Sequence, residues 1–335
     1  MAKTDFSYGD VVDESFFDLI FDHVHDGVDD DGHCPPISLD NHDDGVSPAH
    51  ISGILPEENL PLLRAIGFRH GFNMEDYNSG DSWGVIVQSG AAISNNSSIL
   101  DSRDFNPLII NTSALTKMLI NSSGTDWEPY VAGNGNGGVP TTASGWSQAI
   151  ADNIWIHVFI LGDLSDRDSC EVGFDTSLSA VNLREVSGYQ FYKRLGSVLL
   201  DYDSSKYSIV PFFSIDRRFC YKNNNPVPSL DVYGTLSTTE TLLTIPVPSG
   251  VIVNALLRAR IIKNADPCTA HLLITDYNCT YDTSSWAISS LTSHADTVSG
   301  EFRHLTNTSQ QIKVAYVSSD AVGDVTVSCF GWEEI

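Results

Sequence analysis

From about Gly71 the chain settles into short apolar runs separated by Asn, Ser, Gly and Asp. Val85-Ile86-Val87 opens the pattern, Leu108-Ile109-Ile110 and Lys117-Met118-Leu119-Ile120 follow, and aromatic and β-branched residues recur throughout. Runs of this length, punctuated by turn residues, predict an all-β protein. Ile154 to Leu161 is the clearest strand. Ile154, Ile156, Val158 and Ile160 occupy one face, and Trp155, His157, Phe159 and Leu161 the other. Two apolar faces predict a central strand covered on both sides. His157 is then expected to be a hydrogen-bonded core residue.

Further runs cover Glu171 to Ser177, Gly188 to Val198 and Tyr207 to Phe213, before Asn223-Asn224-Asn225-Pro226-Val227-Pro228 breaks the pattern. A boundary near Val232 follows. Leu242 to Val247, Val251 to Ile262, Ala270 to Tyr277, Gln311 to Val317 and Val325 to Trp332 then repeat the texture and fit a second, jelly-roll-like sandwich. Val251 to Ile262 has some helical character, but its β-branched ends and the flanking Pro-Ser-Gly favour a strand. Gly133 to Gly138 reads as a loop. No helix signal follows it and no Lys-Ser/Thr ends it, so it is not a phosphate cradle.

Ahead of the β texture the chain is different. Residues 1–41 are acidic, with Lys3 the only base, and Asp13 to Phe21 predicts a short helix with an apolar cluster of Phe16, Phe17, Ile20 and Phe21. Prolines 35, 36, 48, 56 and 61 then block regular structure and predict an extended connector. The expected layout is an acidic N-terminal attachment and trimerisation segment (1–41), a connector (42–80), a central β domain (81–232) and a C-terminal β-sandwich (233–335).

Charge narrows the function classes. Forty-three acids against 18 bases leave a net charge of -25, which argues against nucleic acid and against an anionic membrane surface. No signal peptide is evident and no apolar run is long enough to span a bilayer. Synthesis in a reducing cytoplasm is therefore expected. Cys34, Cys170, Cys220, Cys268, Cys279 and Cys329 form no Cys-x-x-Cys pair and are expected to be free thiols.

One stretch carries candidate metal chemistry. His23-Val24-His25 in an extended segment places both imidazoles on one face. Three parallel chains about a three-fold axis would bring two from each, an octahedral cage suited to iron(II), cobalt or nickel. Asp26, Asp29, Asp30 and Asp31 offer oxygen ligands for calcium, but the EF-hand spacing fails: with Gly32 as the loop glycine, Gly27 falls at the first ligand position and Ser38 at the last.

The segment from His23 to His33, His-x-His followed by Asp-Gly-Val-Asp-x-Asp-Gly-His, resembles the metal-binding or trimerising segments of bacteriophage tail fibres. The resemblance implies that His23 and His25 hold one iron-like transition-metal ion per trimer. A second resemblance lies between Trp127 and Tyr221. Trp155-Ile-His-Val-Phe159, Val172-Gly-Phe-Asp-Thr-Ser177, and Tyr189 with Tyr192-Lys-Arg-Leu-Gly-Ser197 look like a β module that recurs in tail fibre and other virion proteins. Its usual Tyr-Arg-Arg-Ile-Gly reads Tyr192-Lys193-Arg194-Leu195-Gly196 here.

No nucleophile elbow, His-Glu-x-x-His helix or Walker loop is present. Exposed aromatic rings beside polar groups suit sugar faces, and Trp127, Tyr130, Tyr281 and Trp286 are candidate glycan contacts. The expectation is a mainly β, homotrimeric virion fibre protein, not an enzyme, that displays two β domains for host-surface attachment. Its expected partners are other virion proteins, through the N-terminal segment, and a host-surface glycan or protein. The rivals are a capsid head fibre or decoration protein, a glycan-degrading tail spike, and an extracellular glycoprotein.

Overall fold

The computed structural model describes residues 68–95, 107–133, 135–138, 150–163, 170–222, 230–231, 240–263, 270–279, 289–293, 297–318 and 322–335. All belong to the second of two units into which the chain divides, Met1–Pro61 and Leu62–Ile335. The expected helix over 13–21, His23, His25, Tyr281 and Trp286 lie outside the described residues. Among those described, the protein is mainly β, and no helix is long and apolar enough to cross a membrane.

The strands are β1 (Arg69–Gly71), β2 (Met74–Ser79), β3 (Ser82–Val87), β4 (Gly90–Ile93), β5 (Leu108–Asn111), β6 (Leu115–Ile120), β7 (Gly135–Asn136), β8 (Trp155–Gly162) and β9 (Cys170–Asp175). One short helix, α1 (Val181–Ser187), comes next. Then follow β10 (Phe191–Asp203), β11 (Lys206–Ile209), β12 (Phe212–Ile215), β13 (Arg218–Tyr221), β14 (Leu230–Asp231), β15 (Thr241–Thr244) and β16 (Val253–Lys263). The last are β17 (Ala270–Thr275), β18 (Ser289–Ser293), β19 (Thr297–Leu305), β20 (Gln311–Ser318) and β21 (Val322–Glu334). Two-residue turns close several hairpins: Gly80 takes φ 70° between β2 and β3, and Ser204 and Ser205 take 52° and 70° between β10 and β11.

The largest sheet runs β19-β16-β21-β13-β12-β2-β3-β6-β7, with β14 also paired to β21. Strands from both sides of residue 232, and from the stretch before residue 81, therefore share one sheet. The junction is β21. Trp332 lies opposite Ala255 of β16 on one side and Phe219 of β13 on the other. Its ring stacks on Phe219 at 4.9 Å and meets Trp155 and Tyr221 edge-on at 5.3 and 5.5 Å. Neighbouring Gly331 admits the close approach, because a Cβ there would stand 2.1 Å from the Phe219 carbonyl oxygen.

Smaller sheets have the orders β1-β4-β5, β11-β10-β8-β9 and β15-β20-β17-β18. As expected from its two apolar faces, β8 is central, between β10 and β9, and buried along its whole length. The strand reading of Val251 to Ile262 also holds as β16: Val253, Ala255, Leu257, Ala259 and Ile261 are buried while Arg258 and Arg260 point outward. Period two, and not helical spacing, orders this segment.

The segments that carry the module resemblance are packing devices. Helix α1, which sequence reasoning missed, begins after Ala180 in the left-handed region, φ 53°, and ends at Gly188, φ 72°. Ala180 supplies no side-chain cap. The buried Asp175 carboxylate takes that place, accepting hydrogen bonds from the Leu183 amide at 2.8 Å and the Asn182 amide group at 2.9 Å. Gly173 lets Leu183 settle against β9, where a Cβ would meet its side chain at 2.6 Å. Gly196 does the same for Phe219, whose ring edge would lie 2.1 Å from an added Cβ. Gly196→Ala should lower stability by about 1–3 kcal/mol through overpacking, read as a fall in the urea unfolding midpoint. An unchanged midpoint would show that Phe219 yields.

Candidate functional site

Lys193 and Arg194 are adjacent basic residues in a strongly acidic chain. In a regular strand, neighbours face opposite sides. Here β10 slips against β8, with Arg194 opposite Phe159 and Gly196 opposite Val158, so Leu195 is the extra residue of a bulge. Bulges twist a strand and re-aim its side chains. Both basic groups line one cavity of about 390 Å³, together with Arg69, Arg217, Asn95, Glu334 and Ile335.

Arg69, at the start of β1, ties this bulge to the rest of the wall. Its guanidinium donates to the carbonyl of Leu195, to that of Phe72 at 2.8 Å and to that of Gly71 at 3.4 Å. The first bond satisfies the carbonyl of the bulged residue. The second and third brace the corner where Gly71 and Phe72 both take positive φ, 68° and 53°. Arg217 comes from the turn between β12 and β13, and its carbonyl accepts the Glu334 amide at 3.0 Å. The end of β21 is thereby pinned to the cavity rim.

Arg194 is held by a fork. Its two terminal nitrogens reach the two Glu334 oxygens at 2.8 and 2.6 Å, a bidentate pair with 12 and 13 % side-chain exposure. One of them also donates to Ser197 Oγ at 2.8 Å, and Ser197 lies 2.9 Å from His157 Nδ1. Arg194 Nε also donates to Nδ1, at 3.5 Å, so Nδ1 is the accepting nitrogen, the Ser197 hydroxyl donates to it, and the ring proton is assigned to Nε2. As expected, His157 is a buried, hydrogen-bonded core histidine. Burial, and then the nearby Arg194 charge, pull its pKa down to about 3.

Lys193 is 8 % exposed and donates to Asn95 Oδ1 at 2.8 Å, a neutral partner. Burial, followed by repulsion from Arg217 and Arg69, lowers its pKa to about 8. Burial also lowers Arg69, to about 10, against the pull of Glu334 and Asp216. Among the described residues the lining side chains comprise four cations and one carboxylate that is already paired with Arg194. Such a wall can hold an oxyanion.

A second buried charge explains the glycine-rich loop. Lys117 on β6 and Glu171 on β9 pair at 2.6 Å with side chains 0 and 2 % exposed. Lys117 Nζ also donates to the Val131 carbonyl at 2.7 Å and to that of Gly133, while the Gly133 amide donates to Glu171 Oε2. The loop is thus folded over an ion pair. Gly137 and Gly138 are required there, since added Cβ atoms would stand 2.4 Å from the Lys117 side chain and 2.0 Å from the Glu128 carbonyl oxygen. Gly135–Asn136 pairs in parallel with β6.

Of the aromatic glycan candidates, Trp127 is a core residue at 3 % exposure. Tyr130 is half-buried, its ring centroid 5.0 Å from Lys117 Nζ. Its hydroxyl is buried without a hydrogen-bond partner among the described residues, and burial pushes its pKa up. The two do not frame an open sugar-binding face. Among the described residues no cluster of three His, Cys, Asp or Glu is placed to hold a metal, and His23 and His25 lie outside that set. Cys170, Cys220, Cys279 and Cys329 are free thiols.

Sequence reasoning did not assemble the cationic cavity. Its one local signal was the Lys193-Arg194 pair in an acidic chain; Arg69, Arg217 and Glu334 meet it only through strand pairing. No family model matches the chain, and no curated protein matches it.

Two predictions follow from the buried charges. The unfolded chain's histidines titrate near pH ~6.5, whereas His157 in the fold stays neutral down to about 3. Below pH ~6.5 the unfolded state takes up a proton that the folded state refuses. The stability that this group provides is thus full above ~6.5 and is lost as pH falls towards 3. The stability gap between wild type and His157→Asn should narrow by about 2 kcal/mol from pH 7 to pH 5 in urea titrations; a constant gap would refute the assignment. For the ion pair, Glu171→Gln alone should cost about 3–5 kcal/mol by stranding Lys117. Lys117→Met combined with Glu171→Leu should cost clearly less than the two single changes summed, measured in a double-mutant cycle.

Proposed function

We propose that the chain is a structural fibre protein of a tailed-bacteriophage virion, a homotrimer joined near His23 and His25, whose β region serves host-surface attachment. In this reading the acidic N-terminal segment joins other virion proteins. The β strands form jelly-roll-like sandwiches in the trimer, and one iron-like ion sits on the three-fold axis.

The observation that carries the reading is the use of the resemblance residues between Trp155 and Ser197. Gly173, Asp175, Gly196 and Ser197 set helix capping, strand approach and a buried hydrogen-bond chain, which are architectural tasks. Lys193 and Arg194 of the same module line the cavity. A virion β module that scaffolds one binding wall accounts for both. Holding an anion also suits this wall better than cleaving a glycan does: glycoside hydrolysis calls for two carboxyl groups at a set separation, and the lining supplies Glu334, already committed to Arg194. Trimer avidity would let a weak site suffice.

The test is light scattering after size exclusion, together with elemental analysis, on wild type and on His23→Ala/His25→Ala. The expected result is a wild-type trimer with about one transition-metal ion per three chains, and loss of metal and trimer together in the variant. A metal-free monomeric wild type would overturn the clamp.

A further inference from the structure

We propose that the cavity between β1, β10, the β12–β13 turn and the end of β21 is an oxyanion site, which takes a single carboxylate or phosphate group on a small hydrophilic ligand, such as an acidic residue of a surface glycan. The choice of a glycan as the source rests on the attachment reading above. The anion chemistry rests on the cavity alone.

Charge is the first argument. Among the described lining residues four cationic side chains face the space against one acidic side chain, which is bound in a fork to Arg194. Burial makes that excess costly. Lys193 is 8 % exposed and, among the described residues, its ammonium donates to the neutral Asn95 oxygen, and a buried cation held by a neutral partner costs stability. An anion in the cavity would offset that cost. Folding does not need such an arrangement, since an apolar residue in place of Lys193 would avoid the penalty.

Donor accounting is the second argument. A guanidinium has five N–H groups and an ammonium three. Arg69 spends three on the carbonyls of Gly71, Phe72 and Leu195, leaving about two (five minus three). Lys193 spends one on Asn95, also leaving about two (three minus one). These donors are fixed by strand and bulge geometry before any ligand arrives, which lowers the ordering cost of binding.

Size and surroundings narrow the ligand. About 390 Å³ lies at the small end of ligand cavities, and the described lining residues include no aromatic ring to receive an apolar face. One anionic group on a compact polar body fits best.

The experiment is titration calorimetry on the full chain with glucuronate, glycerol 3-phosphate and galactose, for wild type, Lys193→Met and Arg217→Gln. Wild type should bind at least one of the two anionic probes saturably and should not bind galactose. Lys193→Met should weaken binding at least tenfold while its unfolding midpoint stays or rises, and Arg217→Gln should weaken it severalfold. Binding of glucuronate alone assigns a carboxylate ligand, of glycerol 3-phosphate alone a phosphate; both assign a general oxyanion site. Affinity for either probe should fall about tenfold between pH 7 and pH 9 as Lys193, near 8 in the empty protein, gives up its proton. Arg69, Arg194, Arg217 and Glu334 face the same space, Asp216 acts on Arg69, and Arg69, lowered only to about 10, keeps most of its charge up to pH 9. No anion binding, equal binding of galactose, or anion binding untouched by Lys193→Met overturns the proposal. A metal-bearing trimer that binds no anion would sink the site and leave the fibre reading; an anion-binding, metal-free monomer would do the reverse.

Discussion

The described strands depend on the insertion of β21 between β16 and β13. Those two partners come from distant parts of the chain, and among the described strands β21 joins them. Trp332 secures the insertion by stacking on Phe219 and meeting Trp155 and Tyr221 at their edges. A buried aromatic of this size contributes about 3–5 kcal/mol by the cost of its truncation, and its place requires Gly331 beside it. The same strand ends in Glu334, which anchors Arg194. Placement of β21 in the sheet and construction of the cationic wall are thus linked through one strand.

The bulge at Leu195 couples the fold to the wall a second time. The extra residue leaves its carbonyl to be satisfied, and Arg69 reaches across from β1 to do so. A neutral donor would have served the carbonyl equally well. Arginine leaves further N–H groups facing the cavity and adds a charge, so a structural repair also furnishes part of a binding surface.

The two buried charge systems differ in what they do. Lys117 and Glu171 neutralise each other and hold a glycine-rich loop closed, a self-contained clamp. At the cavity the cations outnumber the acids among the described residues, and one of them, Lys193, has its pKa lowered to about 8 by burial and by Arg217 and Arg69. A balanced pair specifies local structure, whereas an imbalanced cluster stores free energy that a bound anion can release.

Local pattern alone determined the mainly β character, the doubly covered strand at Trp155–Gly162, the core role of His157 and the strand reading of Val251 to Ile262, because each rests on the alternation of neighbouring side chains. The adjacent bases Lys193 and Arg194 were legible as residues, but not as part of a site. Tertiary structure decided what depends on pairing between remote segments: the sharing of one sheet across residue 232, the α1 turn capped from Asp175 on the preceding strand, and the burial of Trp127 in the core. It also gathered Arg69, Lys193, Arg194, Arg217 and Glu334 around one cavity. Those five come from four separate segments, and no periodicity within any of them encodes which partner strand it will meet.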